Sequence, residues 1–118
     1  MPVVSDFTTI VDDRFEIVGS IEKKFNFETG GRHAPGDAYF ILMVSGLIGD
    51  NKNAEVVLNG TVIGNIFNDK GGPKDRWRTQ MIHTRGIRLN NGMNELKLTP
   101  VGEQYIVTNV YCHFKQDV

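Results

Sequence analysis

The 118-residue chain reads as all-β, an antiparallel, jelly-roll-like sandwich of seven to eight strands with little or no helix. Three observations predict this. Segments rich in Val, Ile, Phe, Thr and Tyr, residues that fit a pleated surface, recur at short spacing between glycines. Within them apolar and polar residues alternate with the period of two that a strand imposes. No window of 11 or more residues keeps apolar side chains at i, i+3 and i+4, so no amphipathic helix is expected.

Residues 1–13 form an N-terminal segment, read as extended. Over 15–27, Phe15, Ile17, Ile21, Phe25 and Phe27 hold the odd positions and Glu16, Glu22, Lys24 and Asn26 lie between them. That is one long strand, or two strands bent near Gly19 and Ser20. Lys23 breaks the apolar phase and marks a bulge or an edge. Residues 28–37 are a loop by composition. Over 38–47 both phases are apolar, with Ala38, Phe40, Leu42 and Val44 against Tyr39, Ile41 and Met43, as in a strand covered on both faces. A turn at 50–53 leads to Ala54, Val56 and Leu58. Asn59 and Gly60 then separate two strand-like runs, and both tolerate the positive φ of a type I′ hairpin turn.

Residues 68–75 are a second long loop. Over 76–84, Trp77, Thr79, Met81 and His83 share one face, with Arg76, Arg78, Gln80 and Ile82 on the other. A turn at 90–92 precedes a strand built around Leu96 and Leu98. In the closing strand, Ile106, Val110, Cys112 and Phe114 fall in the phase read as core. Tyr105, Val107, Asn109, Tyr111 and His113 fall in the outer phase. Residues 1–118 thus read as a single β-sandwich domain, a size that one core serves.

Two stretches carry a family resemblance. Ala54-Glu55-Val56-Val57-Leu58-Asn59-Gly60-Thr61-Val62-Ile63-Gly64 is a strand, an Asn-Gly turn, a strand and a glycine, and Leu89-Asn90-Asn91-Gly92-Met93-Asn94-Glu95-Leu96-Lys97-Leu98 fits L-x-x-G-x-N-x-L-x-[LV]. With the closing strand they cover residues 54–114 and resemble the galactose-binding-domain-like jelly rolls, which include many carbohydrate-binding modules. The resemblance implies non-catalytic recognition, often of sugars, through loops at one end of the sandwich.

Composition and motifs narrow the alternatives. Lys plus Arg number 13 and Asp plus Glu 14, a formal charge of -1, so no basic excess asks for a nucleic-acid partner. No apolar run approaches the ~20 residues of a membrane span, and membrane insertion is not expected. The first ten residues show no secretory signal pattern, which leaves the localisation undefined. The sequence contains no G-x-S-x-G, G-x-x-x-x-G-K-[ST] or H-E-x-x-H, and no enzymatic activity is expected. Cys112 and His113 are adjacent, so in a strand they face opposite ways, and Cys112 reads as a buried small hydrophobe. His33, His83 and His113 lie on three elements without metal-ligand spacing. No cofactor is expected. Ca²⁺ is the one ion for which donors are present, in Asn68, Asp69 and Asp75, without a complete loop signature.

Recognition remains. If successive strands run antiparallel, loops 28–37, 59–60 and 85–93 share one end, with Arg32, His33, Asp37, Arg85, Arg88 and Asn90. Loops 49–53, 67–75 and 100–103 share the other, with Asp50, Asn51, Asn68, Asp69, Lys74, Asp75 and Glu103. The second end mixes acceptors with cations beside Trp77, and a sugar site needs polar groups next to an aromatic face. Glycan binding is therefore expected there, through Asn68, Asp69, Asp75 and Trp77. Trp77 also shares its phase with Met81, a spacing that favours a core position. A second expectation concerns a sheet face. Tyr39, Ile41, Met43, Tyr105 and Tyr111 are read as an outer apolar surface, the interface of a homo-oligomer or of a complex with a protein partner. The function expected is a lectin-like glycan-binding module. The alternative is a structural, self-assembling or partner-bound subunit, such as a phage virion or appendage component.

Overall fold

The computed structural model describes residues 3–29, 38–49, 53–87 and 89–117. Among these residues nine strands form two antiparallel sheets: β1 (Val3–Val11), β2 (Glu16–Val18), β3 (Lys23–Glu28), β4 (Tyr39–Ser45), β5 (Ala54–Leu58), β6 (Thr61–Ile66), β7 (Arg78–His83), β8 (Met93–Leu98) and β9 (Tyr105–Asp117). One sheet runs β1-β9-β4-β7, with β2 also paired to β9, and the other runs β3-β8-β5-β6. No described residue is helical. The strand count exceeds the expected one because the N-terminal segment is itself a strand and residues 15–27 divide at Gly19 and Ser20. The two halves go to different sheets. Lys23 opens the edge strand β3, and its ammonium reaches back to Glu16 at 3.1 Å.

The core lies between the sheets. Phe40, Leu42 and Val44 of β4, Ile82 of β7 and the inner side of β9 meet Phe25, Phe27, Val56, Leu58, Leu96 and Leu98 of the facing sheet. Phe27 and Phe40 touch edge to face at 5.8 Å, an arrangement that sets a ring's positive edge on its neighbour's negative face. Asn59 (φ 49°) and Gly60 (φ 87°) make the hairpin turn that their sequence predicts. The Asn59 side chain ties that turn to β8, accepting from the Glu95 amide at 2.8 Å and donating to Asn94 Oδ1 at 2.9 Å.

The closing strand departs from the expected phase. Between Ile41 and Met43, β4 advances two residues while β9 passes from Tyr111 to Thr108, and Asn109 takes φ 50°. This bulge carries one extra residue, which inverts the alternation on either side of it. Tyr105 and Val107, read as outward, are buried; Ile106, read as core, is half-exposed. Tyr105 is 0% exposed, and its hydroxyl donates to the Thr99 carbonyl at 2.7 Å. Burial raises its phenol pKa. Tyr105 therefore belongs to the core and lines no outer face. Beyond the bulge, Val110, Cys112 and Phe114 point inward as expected.

Candidate functional site

The loop between β6 and β7 is fixed by its own polar side chains. The Asp69 carboxylate accepts from Arg78 and from Arg76, with N–O distances down to 2.9 Å, and these hydrogen bonds hold its pKa below the ordinary value. The Asp69 amide donates to the Leu47 carbonyl, and the Gly71 amide to that of Ile48. Asn68 is buried, with its amide N–H on Asn53 Oδ1 and its Nδ2 3.4 Å from Glu103. Glu103 accepts the Gly49 N–H through both oxygens, and a Cβ on Gly49 would collide with that carboxylate. The loops around 47–49, 67–75 and 103 thus meet at one end, as the alternation of connections predicts.

The four residues named for this end play different parts. Asn68 and Asp69 are engaged in holding the loop. Asp75 is exposed and makes no ion pair with a described residue. Trp77 lies just before β7, one step past the Val44–Arg78 pair. It follows the outward phase of Thr79 and Met81, whereas Ile82 supplies the core, so Trp77 is half-exposed rather than buried. Its partner is Phe15, which the local sequence marks only as one more position in a strand. The two rings stack at 5.5 Å and 20°. Phe15 is 66% exposed, so the ring face turned away from Trp77 is open to water. Phe15 stands at the end of the segment joining β1 to β2, which Thr108 anchors through its hydroxyl to the Asp12 and Arg14 carbonyls. Only that crossing segment brings Phe15 to Trp77, and no local signal in the sequence encodes it. A cleft of about 400 Å³ at this end is lined by Ser45, Lys74, Glu103, Gln104 and Ile106 among others.

The other end is built differently. Asn94 is buried and plugs it, accepting from the Asn90 amide at 2.7 Å and donating to the Gly92 carbonyl at 3.1 Å. Thr29 joins it through the Gly92 carbonyl. Arg32, His33, Asp37 and Arg88, named for this end, and Asp50 and Asn51, named for the first, lie outside the described residues. Among the described residues no group of three or more His, Cys, Asp or Glu side chains could hold a metal ion. Asp69, one of three donors named for Ca²⁺, is committed to two arginines. Cys112 is buried, its thiol pushed up to about 12 by burial, while His113 is on the opposite face.

The outward side of the five-stranded sheet carries Tyr39, Ile41 and Met43, all half-buried, as expected. In register they form rows. Phe7, His113, Tyr39 and His83 make one row across β1, β9, β4 and β7, and Thr9, Tyr111, Ile41 and Met81 make the next. Met43 and Thr79 follow, with Asn109 Nδ2 3.4 Å from the Met43 sulfur.

The structure of a family 35 carbohydrate binding module from an environmental isolate matches this chain with a TM-score of 0.52 and 17% sequence identity, over 89% of this chain and 87% of that one. The likeness establishes the fold: the chain is a β-sandwich of the kind found in carbohydrate-binding modules. No protein-family model matches the sequence, and no curated protein matches it significantly.

Proposed function

We propose that this chain is a non-catalytic glycan-binding module whose site is the Phe15–Trp77 pair with the adjoining loop end. The observation that carries the reading is the open face of Phe15, backed by Trp77, with the exposed carboxylate of Asp75 two residues before Trp77 in the chain. Sugars present C–H faces to an aromatic ring and hydroxyls to polar groups at its rim. Phe15 supplies the ring face, Asp75 accepts from hydroxyls, and Lys74 and Gln104 donate along the cleft. Asn68, Asp69 and Glu103 act one step back, fixing the loop so that little ordering remains when a ligand binds. The shared sandwich fold supports the reading, since it is a scaffold on which sugar recognition is known, although fold alone does not carry function.

The test is a glycan-array screen followed by thermal melting with each hit. A ligand of the native state raises the melting temperature with its concentration. Asp75→Ala is expected to weaken binding while leaving the melting temperature of the free protein unchanged. A sugar that binds with undiminished affinity to Phe15→Ala and Asp75→Ala, or that perturbs only residues near Asn90 and Asn94, overturns the assignment.

A further inference from the structure

We infer that the outer face of the five-stranded sheet is the contact surface of a homodimer, formed face to face around Tyr111, Ile41 and Met81. The rows described above contain no Asp, Glu, Lys or Arg, in a chain that is 23% charged. A two-fold contact lays a surface against its own copy, so any net charge on it would meet itself. The three rows meet that condition, and Lys115, opposite Ser5 in the next row, stands at their margin. They also leave apolar side chains in water, with Phe7 57% and Met81 56% exposed.

Ring geometry argues against a sugar as the occupant. His113 stacks between Phe7 (5.7 Å, 27°) and Tyr39 (5.0 Å, 4°). Both faces of His113 are covered by its neighbours, so the middle of this row presents an edge and no open platform. The sheet edge is a poorer contact than its face, because Asp6 Oδ1 already accepts the Phe7 amide at 2.8 Å in the middle of the edge strand β1.

Size sets the strength. Two rows across four strands and a third across β4 and β7, at ~4.8 Å between strands and ~6.6 Å between rows, span roughly 320 Å² of plane on each copy. The pair then buries roughly 640 Å² before side-chain relief is added, short of the ~1,000 Å² at which specific interfaces begin. A weak dimer follows, populated at high protein concentration.

Sedimentation of the intact chain from about 5 to 500 µM tests this. The mass is expected to rise from 13.2 kDa towards about twice that value, with half-association inside that range. Met81→Lys and, separately, Phe7→Lys place like charges across the two-fold contact at exposed positions, and each is expected to weaken association at least tenfold with an unchanged near-UV spectrum. Phe15→Ala, outside the rows, is expected to associate as the wild type does. A mass that stays at 13.2 kDa throughout, lysine variants that associate normally, or loss of association in Phe15→Ala would each overturn the proposal. So would a glycan that shifts the His113 and Tyr39 resonances of a monomeric protein, which would make the face a ligand surface.

Discussion

The two sheets share one core but show water two different outer faces. On the four-stranded sheet the outward positions include Lys24, Glu55, Glu95 and Lys97, and Lys97 meets Glu22 at 3.2 Å. On the five-stranded sheet the corresponding positions over the three rows are aromatic, aliphatic, thioether, hydroxyl, amide or imidazole side chains, and a charge, Lys115 opposite Ser5, enters only in the next row. Of the aromatic rings that reach the surface, Phe7, Phe15, Tyr39, Trp77 and Tyr111 stand on that side, and Phe67 alone does not. Away from their bulges both sheets alternate in the same way, so the backbone does not explain the difference. Charge on the first face keeps it solvated and discourages association. Its absence from the three rows of the second leaves an apolar surface, and it is on that side that the two contacts are proposed.

The largest expected effect separates two tyrosines that alternation alone would put together. Tyr105 and Tyr111 share a parity, yet the bulge at Asn109 sends one into the core and the other outward. Tyr105→Ala should cost about 3–5 kcal/mol in a urea titration, and Tyr111→Ala no more than about 1.5 kcal/mol, because only the first opens a fully buried cavity. Equal costs would break the assignment of the bulge. Next in size is the aromatic pair. Phe15→Ala should weaken glycan binding about tenfold, equivalent to about 1.4 kcal/mol, whereas His113→Ala should leave it unchanged. Calorimetric titration with the strongest array hit reads both.

On the charged side, Gly60→Val should destabilise by about 1 kcal/mol. Nothing lies within 4 Å of an added Cβ there, so the cost comes from φ 87° alone. Smallest is Lys97→Ala, at about 0.5 kcal/mol or less and fading with added salt, as for other surface ion pairs. Acid should act on the clamped carboxylates. Glu16, hydrogen-bonded first by Arg14, and Asp69, by Arg78 and Arg76, both titrate below their ordinary values. A depressed carboxyl contributes stability above its unfolded pKa and loses it as the pH falls through the folded one, so melting should soften below about pH 4.

What the sequence made legible was local. The hairpin at Asn59 and Gly60, the break at Gly19 and Ser20, the double apolar phase around Phe40 and the burial of Cys112 each depend on a few adjacent residues. The bulge was not legible, because Thr108 and Asn109 sit in an unbroken β-prone run and the extra residue shows only against the partner strand β4. The Asp69 clamp was hidden for a similar reason. Its arginines lie seven and nine residues on, a separation that only the folded loop closes. Trp77 and Phe15 are far apart in the chain, so alternation could give Trp77 a phase without telling which phase was the core.

Trp77 is the only tryptophan in the chain, so its fluorescence reports on the proposed site without a label. Titrating the wild type and Phe15→Ala with the oligosaccharides that score on an array is the most direct test. A saturable change in emission in the wild type, shifted to about tenfold higher sugar concentration in Phe15→Ala, is the predicted result. Binding that melting experiments detect while Trp77 emission stays flat, or identical curves for the two proteins, would contradict the account.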